Sequence, residues 1–272
     1  MTPPKIRLVA IDLDGTLLDD NKRVSDRTVA ALKCLPAAGV RVVIASARPP
    51  RSVRHVYREL GLDTWQINYN GALVWDEPAR RAVDHRPMDP LVVRDLVSIA
   101  RRHHPQVLVS CEILDRWCTD RFDQTYTTQT GRLFRPDVVA PLETFCTEPI
   151  TKLMFLAAPD VLGDLESVLH DRGPAAGVTV IRSDPDLIQI MHASASKGVA
   201  LKTAADYYRV PLEHVMVIGD AVNDIPMLRA AGIAVAMDNA HPLVKQAAHW
   251  TAPSNNDHGV HAALVRYGLC GA

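Results

Sequence analysis

The sequence lacks long apolar runs and has almost no excess charge. No apolar segment approaches the ~20 residues of a membrane-spanning helix, and the run at residues 6–11 is too short for a signal peptide. The formal net charge is −1, so overall charge gives no reason to expect binding to nucleic acid or to an anionic membrane surface. We therefore predict a soluble, cytoplasmic protein that binds neither.

Cysteine pairs and several familiar binding motifs are also missing. The five cysteines are scattered, no two have CxxC spacing, and no histidine lies at ligand spacing from one. A zinc site is therefore not expected, and free thiols fit a reducing compartment. The chain contains no GxxxxGKS/T, no GxGxxG and no HExxH, which excludes nucleotide cradles of those types and a zinc protease of that type.

What is present is an ordinary globular composition with an alternating pattern. The chain has 272 residues, of which 47% are hydrophobic, a length that suits two domains or one large α/β domain with an insertion. Apolar strands are predicted at 6–11, 40–45 and 65–69. Helices between them begin near Ser25 and Pro49 and end at glycines, because serine caps a helix and proline is tolerated in its first turn. This alternation is typical of a parallel sheet.

The pattern changes near residue 84 and returns near residue 193. Between these points, adjacent strands at 106–112 and 116–119, and at 178–182 and 187–191, indicate an antiparallel α+β domain. After residue 193, helices and strands alternate again. We predict an α/β fold with a doubly wound parallel-sheet core formed by residues 1–83 and 193–272 and interrupted by a domain at 84–192.

Polar clusters follow three of the predicted core strands directly. Asp12 and Asp14 follow the first strand, Ser46 follows the second, and Asp220 and Asp224 follow the strand at 214–218. Ligands of open parallel sheets bind at the carboxyl ends of the strands, so these clusters are expected to converge. Lys197, just before a helix, can point into the same crevice.

The predicted convergence of carboxylates has a chemical consequence. The four aspartates of these clusters cannot all remain ionised at close quarters without a cation, and Lys197 offsets only one of them. Mg2+, which prefers oxygen ligands, resolves the conflict and favours a phosphate monoester as substrate. Asp12 can then attack phosphorus to give an aspartyl-phosphate, while Asp14 transfers protons.

Each of these pieces has a structural reading when taken alone. Asp14-Gly15 is a common turn, Asn223-Asp224 can cap a helix, and a single serine at a strand end carries little information. Their occurrence together after successive strands favours the functional reading.

At these positions the sequence resembles the haloacid dehalogenase-like phosphohydrolase superfamily, in its Cof-type branch (subclass IIB) with a C2-type cap. The resemblance covers nearly the whole chain. It is carried by Asp12-Leu13-Asp14-Gly15-Thr16-Leu17-Leu18, residues 43–49, Asn70-Gly71-Ala72, Ser196-Lys197-Gly198, residues 219–224 and residues 237–240. It implies a Rossmann-like core with an α/β cap inserted after the third strand, and a Mg2+-dependent phosphoric monoester hydrolase.

The resemblance also implies a role for each site residue. Asp12 would be the nucleophile and Asp14 the general acid/base. Ser46, Lys197, Asn223 and the backbone at Ala47 would bind the phosphoryl group. Mg2+ would be held by Asp12, Asp220 and the backbone carbonyl of Asp14, with Asp224 in support.

Two residues depart from the family pattern. Ala47 stands where the family usually has glycine, which would weaken phosphate binding if that position needs positive φ. Asp238 also replaces a usual glycine, in a loop that borders the site. It either alters metal or substrate preference or is an exposed turn residue.

Substrate selection is expected to involve the inserted domain and the rim of the core. Glu112, Arg116 and Trp117 could offer a carboxylate, a guanidinium and a stacking ring. Further candidates for substrate contact are Arg48, Asn70 and His192. A small phosphorylated metabolite, above all a sugar phosphate, fits best, while FMN and pyridoxal phosphate stay open. A phosphomutase and a weakly catalytic phosphometabolite sensor are the alternatives, and either a monomer or a homodimer is compatible with the sequence.

Overall fold

The chain forms two units in the computed structural model, which describes residues 5–123, 125–126 and 128–271. The core unit contains the residues up to Asp84 and from Ser196 onward, and the inserted unit contains His85–Ala195. The sequence predicted an insertion at 84–192. Its assignment as a cap stays a prediction.

Fourteen strands are found in the described part of the chain. They are β1 (Leu8–Asp12), β2 (Arg41–Ala45), β3 (Trp65–Asn68), β4 (Leu73–Asp76), β5 (Arg81–His85), β6 (Leu108–Ile113), β7 (Arg116–Thr119), β8 (Val138–Val139), β9 (Lys152–Leu156), β10 (Val178–Asp184), β11 (Leu187–His192), β12 (Val215–Gly219), β13 (Ile233–Met237) and β14 (Trp250–Ala252).

The α-helices of the same residues number ten. They are α1 (Asp26–Cys34), α2 (Pro50–Leu60), α3 (Pro90–His103), α4 (Gln129–Leu133), α5 (Leu142–Phe145), α6 (Pro159–Ala176), α7 (Lys197–Tyr207), α8 (Ile225–Ala230), α9 (Pro242–Ala247) and α10 (Gly259–Arg266). None of the helices in the described ranges combines the length and the apolar character needed to cross a membrane.

An eight-stranded sheet forms the middle of the core unit. Its order is β14-β13-β12-β1-β2-β3-β4-β5. The strands from β14 to β3 are parallel, and β4 is antiparallel to β3. The predicted parallel-sheet α/β core is confirmed. The chain order reverses between β1 and β12, and such switch points are where α/β sheets bind ligands at their carboxyl ends.

Most predicted helix ends in the core unit have the expected local causes, but the predicted end of α1 at Gly39 is wrong. α1 ends at Cys34, before Pro36, and Gly39 closes the short turn Pro36–Ala38 that follows. The hydroxyl of Ser25 accepts the backbone N–H of Thr28 at the start of α1, and Pro50 is the first residue of α2. Gly61 ends α2 with φ +65°, a conformation that glycine adopts without a steric penalty because it has no Cβ. All five residues of β1 are buried, which places the end of this strand inside the protein.

The inserted unit contains a six-stranded sheet in the order β10-β11-β9-β6-β7-β8. Its pairs are antiparallel except for β7 with β8. Buried residues of α3 and α6, such as Leu96 and Leu165, pack with Phe155 and Ile190 of the sheet in one hydrophobic cluster. This is the α+β arrangement that the paired strands predicted.

Several elements differ from the sequence predictions. β5 was not predicted because none of its residues is fully buried, so it lacks the apolar signal of a core strand. It and β4 lie between the third strand and the insertion. β14 and β8 are only three and two residues long, and α4 and α5 fall in a stretch predicted to be irregular. α6 continues to Ala176, past the predicted end near residue 170 and through Pro174.

Candidate active site

The loop after β1 is packed against Asp220. Asp12, the last residue of β1, is buried, and the buried hydroxyl of Thr16 donates to Asp220 Oδ1 at 2.7 Å. Gly15 has φ +80°, and a Cβ placed there would lie 2.4 Å from Asp220 Oδ2. Only glycine satisfies both the backbone conformation and the close approach.

Lys197 lies between two carboxylates in the interior of the core unit. Its side chain is 1% exposed, and its Nζ lies 2.5 Å from Asp12 Oδ1 and 2.6 Å from Asp224 Oδ1. Burial lowers the pKa of Lys197, but the charges and hydrogen bonds of the two carboxylates outweigh it and raise this pKa above its ordinary value. The two carboxylates therefore favour the charged ammonium form of Lys197.

Asp224 is fully buried, and both of its carboxylate oxygens are engaged by donors of the protein. Oδ1 accepts from Lys197, while Oδ2 accepts the backbone N–H groups of Asp220 at 3.0 Å and Ala221 at 2.9 Å. A Cβ at Gly219 would lie 2.7 Å from Oδ2, so glycine is required beside it. These contacts make Asp224 the group that shapes the loop after β12 and orients Lys197.

Asp12, Asp220 and Asp224 could hold a metal ion together. Each offers a carboxylate oxygen, and these atoms lie within 4.8 Å of one another. Burial, followed by the charge of Asp224, raises the pKa of Asp12 well above its ordinary value, against the opposing effect of Lys197. Burial also raises the pKa of Asp220. Three carboxylates with one lysine leave negative charge that a divalent, oxygen-preferring cation would neutralise, so the donor set fits such an ion.

Asp14 lies outside this group of three carboxylates and has its own cations. Arg48 donates from Nε to Oδ2 at 2.7 Å and from Nη2 to Oδ1 at 2.5 Å, and Lys22 Nζ lies 2.9 Å from Oδ1. Burial acts to raise the pKa of Asp14, but the hydrogen bonds and charges of Arg48 and Lys22 outweigh it and lower this pKa. From the sequence, Lys197 was expected to be the one cation that offsets the four aspartates, whereas Asp14 has Arg48 and Lys22 as partners. The catalytic role of Asp14 stays a prediction.

The remaining core candidates lie in loops that follow β2, β3 and β12. Ser46 is buried and its Oγ accepts the backbone N–H of Arg48 at 3.1 Å. Asn70 has φ +55°, and its Oδ1 accepts from Asn223 Nδ2 at 2.8 Å. Asn223 Oδ1 is buried and has no hydrogen-bond partner among the described residues. The predicted phosphate-binding roles of Ser46 and Asn223, and the predicted substrate contact of Asn70, stay predictions.

The two departures from the family pattern have simple structural accounts. Ala47 is not among the residues with positive φ, so glycine is not needed there and the expected backbone strain is absent. Asp238 is exposed and pairs with Lys245 at 2.9 Å, which makes it a surface turn residue.

Replacing Ala47 with glycine is therefore expected to leave the KM for a phosphate monoester within about twofold of the parent value, because the backbone already has an unstrained conformation. The free energy of unfolding should fall by about 0.5–1 kcal/mol through the greater freedom of the unfolded chain. Steady-state kinetics and urea unfolding measure both quantities. Gly15→Ala is the contrasting variant, because Gly15 does have a positive φ. A tenfold lower KM in Ala47→Gly would contradict the conclusion that the backbone at Ala47 is unstrained.

The candidates in the inserted unit each have neighbours within that unit. Glu112 is buried, and Arg116 forms an ion pair with Glu148. The indole N–H of Trp117 donates to Ser110 Oγ at 2.6 Å, and the ring meets Phe122 edge-on. His192 Nδ1 lies 2.7 Å from Ser194 Oγ. Their predicted part in substrate selection stays a prediction.

Sequence reasoning missed several residues that lie in the loop after β1 or bond to it. Thr16 was quoted only as part of a motif, Lys22 was not considered, and Asn239 and Asn255 received no role. Asn239 donates to Gly15 O and Asn255 donates to Leu18 O. The available signal was that Thr16 and Asn239 lie within the family-like segments 12–18 and 237–240.

Comparison with known proteins agrees with this geometry. The family model of haloacid dehalogenase-like hydrolases matches residues 9–264. A 5-amino-6-(5-phospho-D-ribitylamino)uracil phosphatase of Bacillus subtilis, YitU, is 31% identical over 272 residues, covering 96% of this chain and 97% of the relative. The pyridoxal phosphate phosphatase YbhA of Escherichia coli is 28% identical, with 89% and 92% covered.

A solved structure gives the same result. A haloacid dehalogenase-like hydrolase from Bacteroides thetaiotaomicron superposes with a TM-score of 0.86 at 27% identity, covering 96% of this chain and 99% of that one. The predicted family and its Cof-type branch are confirmed, and the predicted enzyme class, a phosphatase, agrees with the names of the relatives. The chain belongs to the haloacid dehalogenase-like hydrolase family.

Proposed function

We propose that the chain is a Mg2+-dependent phosphatase of small phosphorylated metabolites, sugar phosphates above all, and that it acts through an aspartyl-phosphate on Asp12. The observation that carries the proposal is the buried Asp12 carboxylate, bonded to Lys197 and within 4.8 Å of the carboxylate oxygens of Asp220 and Asp224. A carboxylate nucleophile, a fixed cation and a metal-binding donor set are the parts that this chemistry needs.

Asp12 and Lys197 carry out the transfer of the phosphoryl group to the protein, and water completes the reaction. Lys197 fixes one oxygen of the Asp12 carboxylate and attracts the anionic phosphoryl group. A bond forms between an Asp12 oxygen and phosphorus as the bond from phosphorus to the substrate oxygen breaks. Water then attacks the phosphorus of the aspartyl-phosphate, which releases inorganic phosphate and restores the Asp12 carboxylate.

Asp14 moves the protons of both halves. It donates a proton to the departing substrate oxygen and later accepts one from the attacking water. The ion pairs with Arg48 and Lys22 favour its carboxylate form, which is the form that the second half requires. A substrate phosphate that competes for Arg48 would weaken this pairing and favour the protonated form needed in the first half.

Asp12 and Asp220, with the backbone carbonyl of Asp14, are the proposed ligands of Mg2+. When bound, Mg2+ supplies positive charge that stabilises the phosphoryl oxygens. Asp224 supports the site by holding Lys197 and the backbone of residues 220 and 221 in place.

The substrate class is proposed from size and chemistry. YitU and YbhA are named for a ribitylaminouracil phosphate and for pyridoxal phosphate, both small phosphate monoesters with different organic parts. The shared feature is the phosphoryl group, to which the core residues are suited. Compact polar sugar phosphates are therefore proposed as the main class, with pyridoxal phosphate and FMN as the competing candidates.

A metal-stripped preparation tests the proposal directly. With Mg2+, release of inorganic phosphate is expected from an aryl phosphate and from members of a panel of hexose phosphates, pentose phosphates, pyridoxal phosphate and FMN. A chelator should abolish this turnover, and excess Mg2+ should restore it, because the carboxylates are otherwise incompletely neutralised. Equal turnover without any divalent cation would contradict the metal requirement.

The same assay separates the alternatives. Tight binding of phosphometabolites without turnover would indicate a sensor. Transfer of the phosphoryl group to a sugar acceptor in preference to water would indicate a phosphomutase.

A further inference from the structure

Two asparagines from the end of the chain bind the loop that carries the proposed nucleophile. Asn239, which follows β13, donates from Nδ2 to Gly15 O at 2.7 Å. Asn255, which precedes α10, donates its backbone N–H to Asn239 Oδ1 at 3.0 Å and its side-chain N–H to Leu18 O at 3.0 Å. The amide nitrogen of Asn239 thus bonds to the loop after β1, and its amide oxygen bonds to the loop before α10.

The bonded segment needs such support. Gly15 has φ +80°, and glycine has more backbone freedom than any other residue, so its peptide groups are not held by local sterics. The next residue, Thr16, donates its hydroxyl to Asp220 Oδ1, and the Gly15 backbone lies directly against Asp220 Oδ2. The orientation of the Gly15–Thr16 peptide therefore determines how the Asp220 carboxylate is presented.

We propose that Asn239, held by Asn255, is a positioning residue of the metal site. It fixes the Gly15 carbonyl, this fixes the Thr16 hydroxyl, and Thr16 orients the Asp220 carboxylate toward the ion. The inference rests on the proposed function, since Asp220 is a proposed Mg2+ ligand. Groups that orient metal ligands in this way alter metal affinity without touching the ion.

If the role of Asn239 were purely structural, its replacement would lower the stability of the metal-free protein and leave Mg2+ affinity unchanged. The positioning role predicts the opposite. Asn239 is exposed, so its replacement should change the stability of the metal-free protein little. The neighbouring Asn256 is also exposed. Within the described part of the chain its side chain bonds to Asp20 alone: Nδ2 donates to Asp20 Oδ2 at 3.0 Å, and Oδ1 accepts the Asp20 N–H at 3.1 Å. It lies beside the same loop and has no bond to Gly15 or Leu18.

The test is calorimetric binding of Mg2+ to the metal-stripped full-length protein, with thermal unfolding measured alongside. Asn239→Asp keeps the side-chain shape and loses the donor to Gly15, and Asn239→Ala loses it without adding charge. Both are expected to weaken Mg2+ binding by about tenfold or more, the scale seen when a ligand-orienting group is removed. Asn256→Asp adds the same charge nearby and should stay within about twofold of the parent.

The outcomes separate this inference from the proposed function. Asn239 variants that bind Mg2+ like the parent, or Asn256→Asp losing as much affinity as they do, would overturn the positioning role. If neither Asn239 variant folds, Asn255→Ala carries the same expectation, because it removes the side-chain bond to Leu18 O that holds the segment whose backbone N–H orients Asn239. A parent protein that fails to bind Mg2+ would instead overturn the proposed metal site itself.

Discussion

Replacing Asp12 with asparagine is expected to lower kcat for phosphate release at least about a thousandfold, because an amide cannot form the acyl-phosphate bond. The protein should stay folded. Burial already disfavours the charged form of Asp12, and its pKa is raised well above the ordinary value. An amide of the same shape keeps an oxygen that can accept from Lys197 Nζ, so the metal-free protein should be no less stable than the parent.

The measurement is steady-state turnover of an aryl phosphate at saturating Mg2+, with thermal unfolding as the check on folding. Asp238→Asn is the matched control, since Asp238 is an exposed aspartate that pairs with Lys245 at the surface. It should keep full activity. Turnover in Asp12→Asn close to that of the parent would show that another group is the nucleophile.

Replacing Lys197 with methionine is expected to destabilise the metal-free protein by about 3–5 kcal/mol, the cost of leaving buried charges without their partner. Lys197 is 1% exposed and is bonded to both Asp12 and Asp224. Methionine fills much of the same volume without charge, so the two carboxylates would face each other uncompensated. Turnover should also fall sharply, because the proposed mechanism uses the charge of Lys197 to attract the phosphoryl group.

Urea unfolding in the presence of a chelator measures the stability change. Lys202→Met, an exposed lysine on the same helix α7, is the matched control and should change the free energy of unfolding by less than about 0.5 kcal/mol. Added Mg2+ is expected to raise the stability of Lys197→Met more than that of the parent, since the ion then neutralises carboxylates that have no other cation. A loss below about 1 kcal/mol would mean that the buried pairs add little net stability.

Most of the core fold could be predicted from the sequence because the residues that begin and end its helices act locally. Ser25, Pro50 and Gly61 act on the helix turn beside them, and strands such as β1 and β2 are apolar along nearly their full length. β5 and β14 were not predicted. β5 has no fully buried residue and β14 has only three residues, so neither shows a detectable hydrophobic period.

The site could be predicted in its members and only partly in its contacts. Asp12 was expected in the crevice because it follows a strand, and Lys197 because it lies just before a helix. The structure places them in hydrogen-bond contact. The pairing of Asp14 with Arg48 and Lys22 could not be read from spacing, since a charged side chain selects its partner by tertiary proximity. The φ of Ala47 is a property of the folded loop, which is why its departure from the family pattern looked more consequential than it is.

The interrupted core unit has a consequence for synthesis on the ribosome. β1 pairs on one side with β2 and on the other with β12, which lies beyond the insertion. About 110 residues separate Asp84 from Ser196, so at ~5–20 residues per second β1 waits several seconds or more for its second neighbour. During that interval an apolar strand edge is open to other chains. The contiguous inserted unit can fold first, and the segment from Ser196 onward both closes the sheet and completes the charge balance around Asp12.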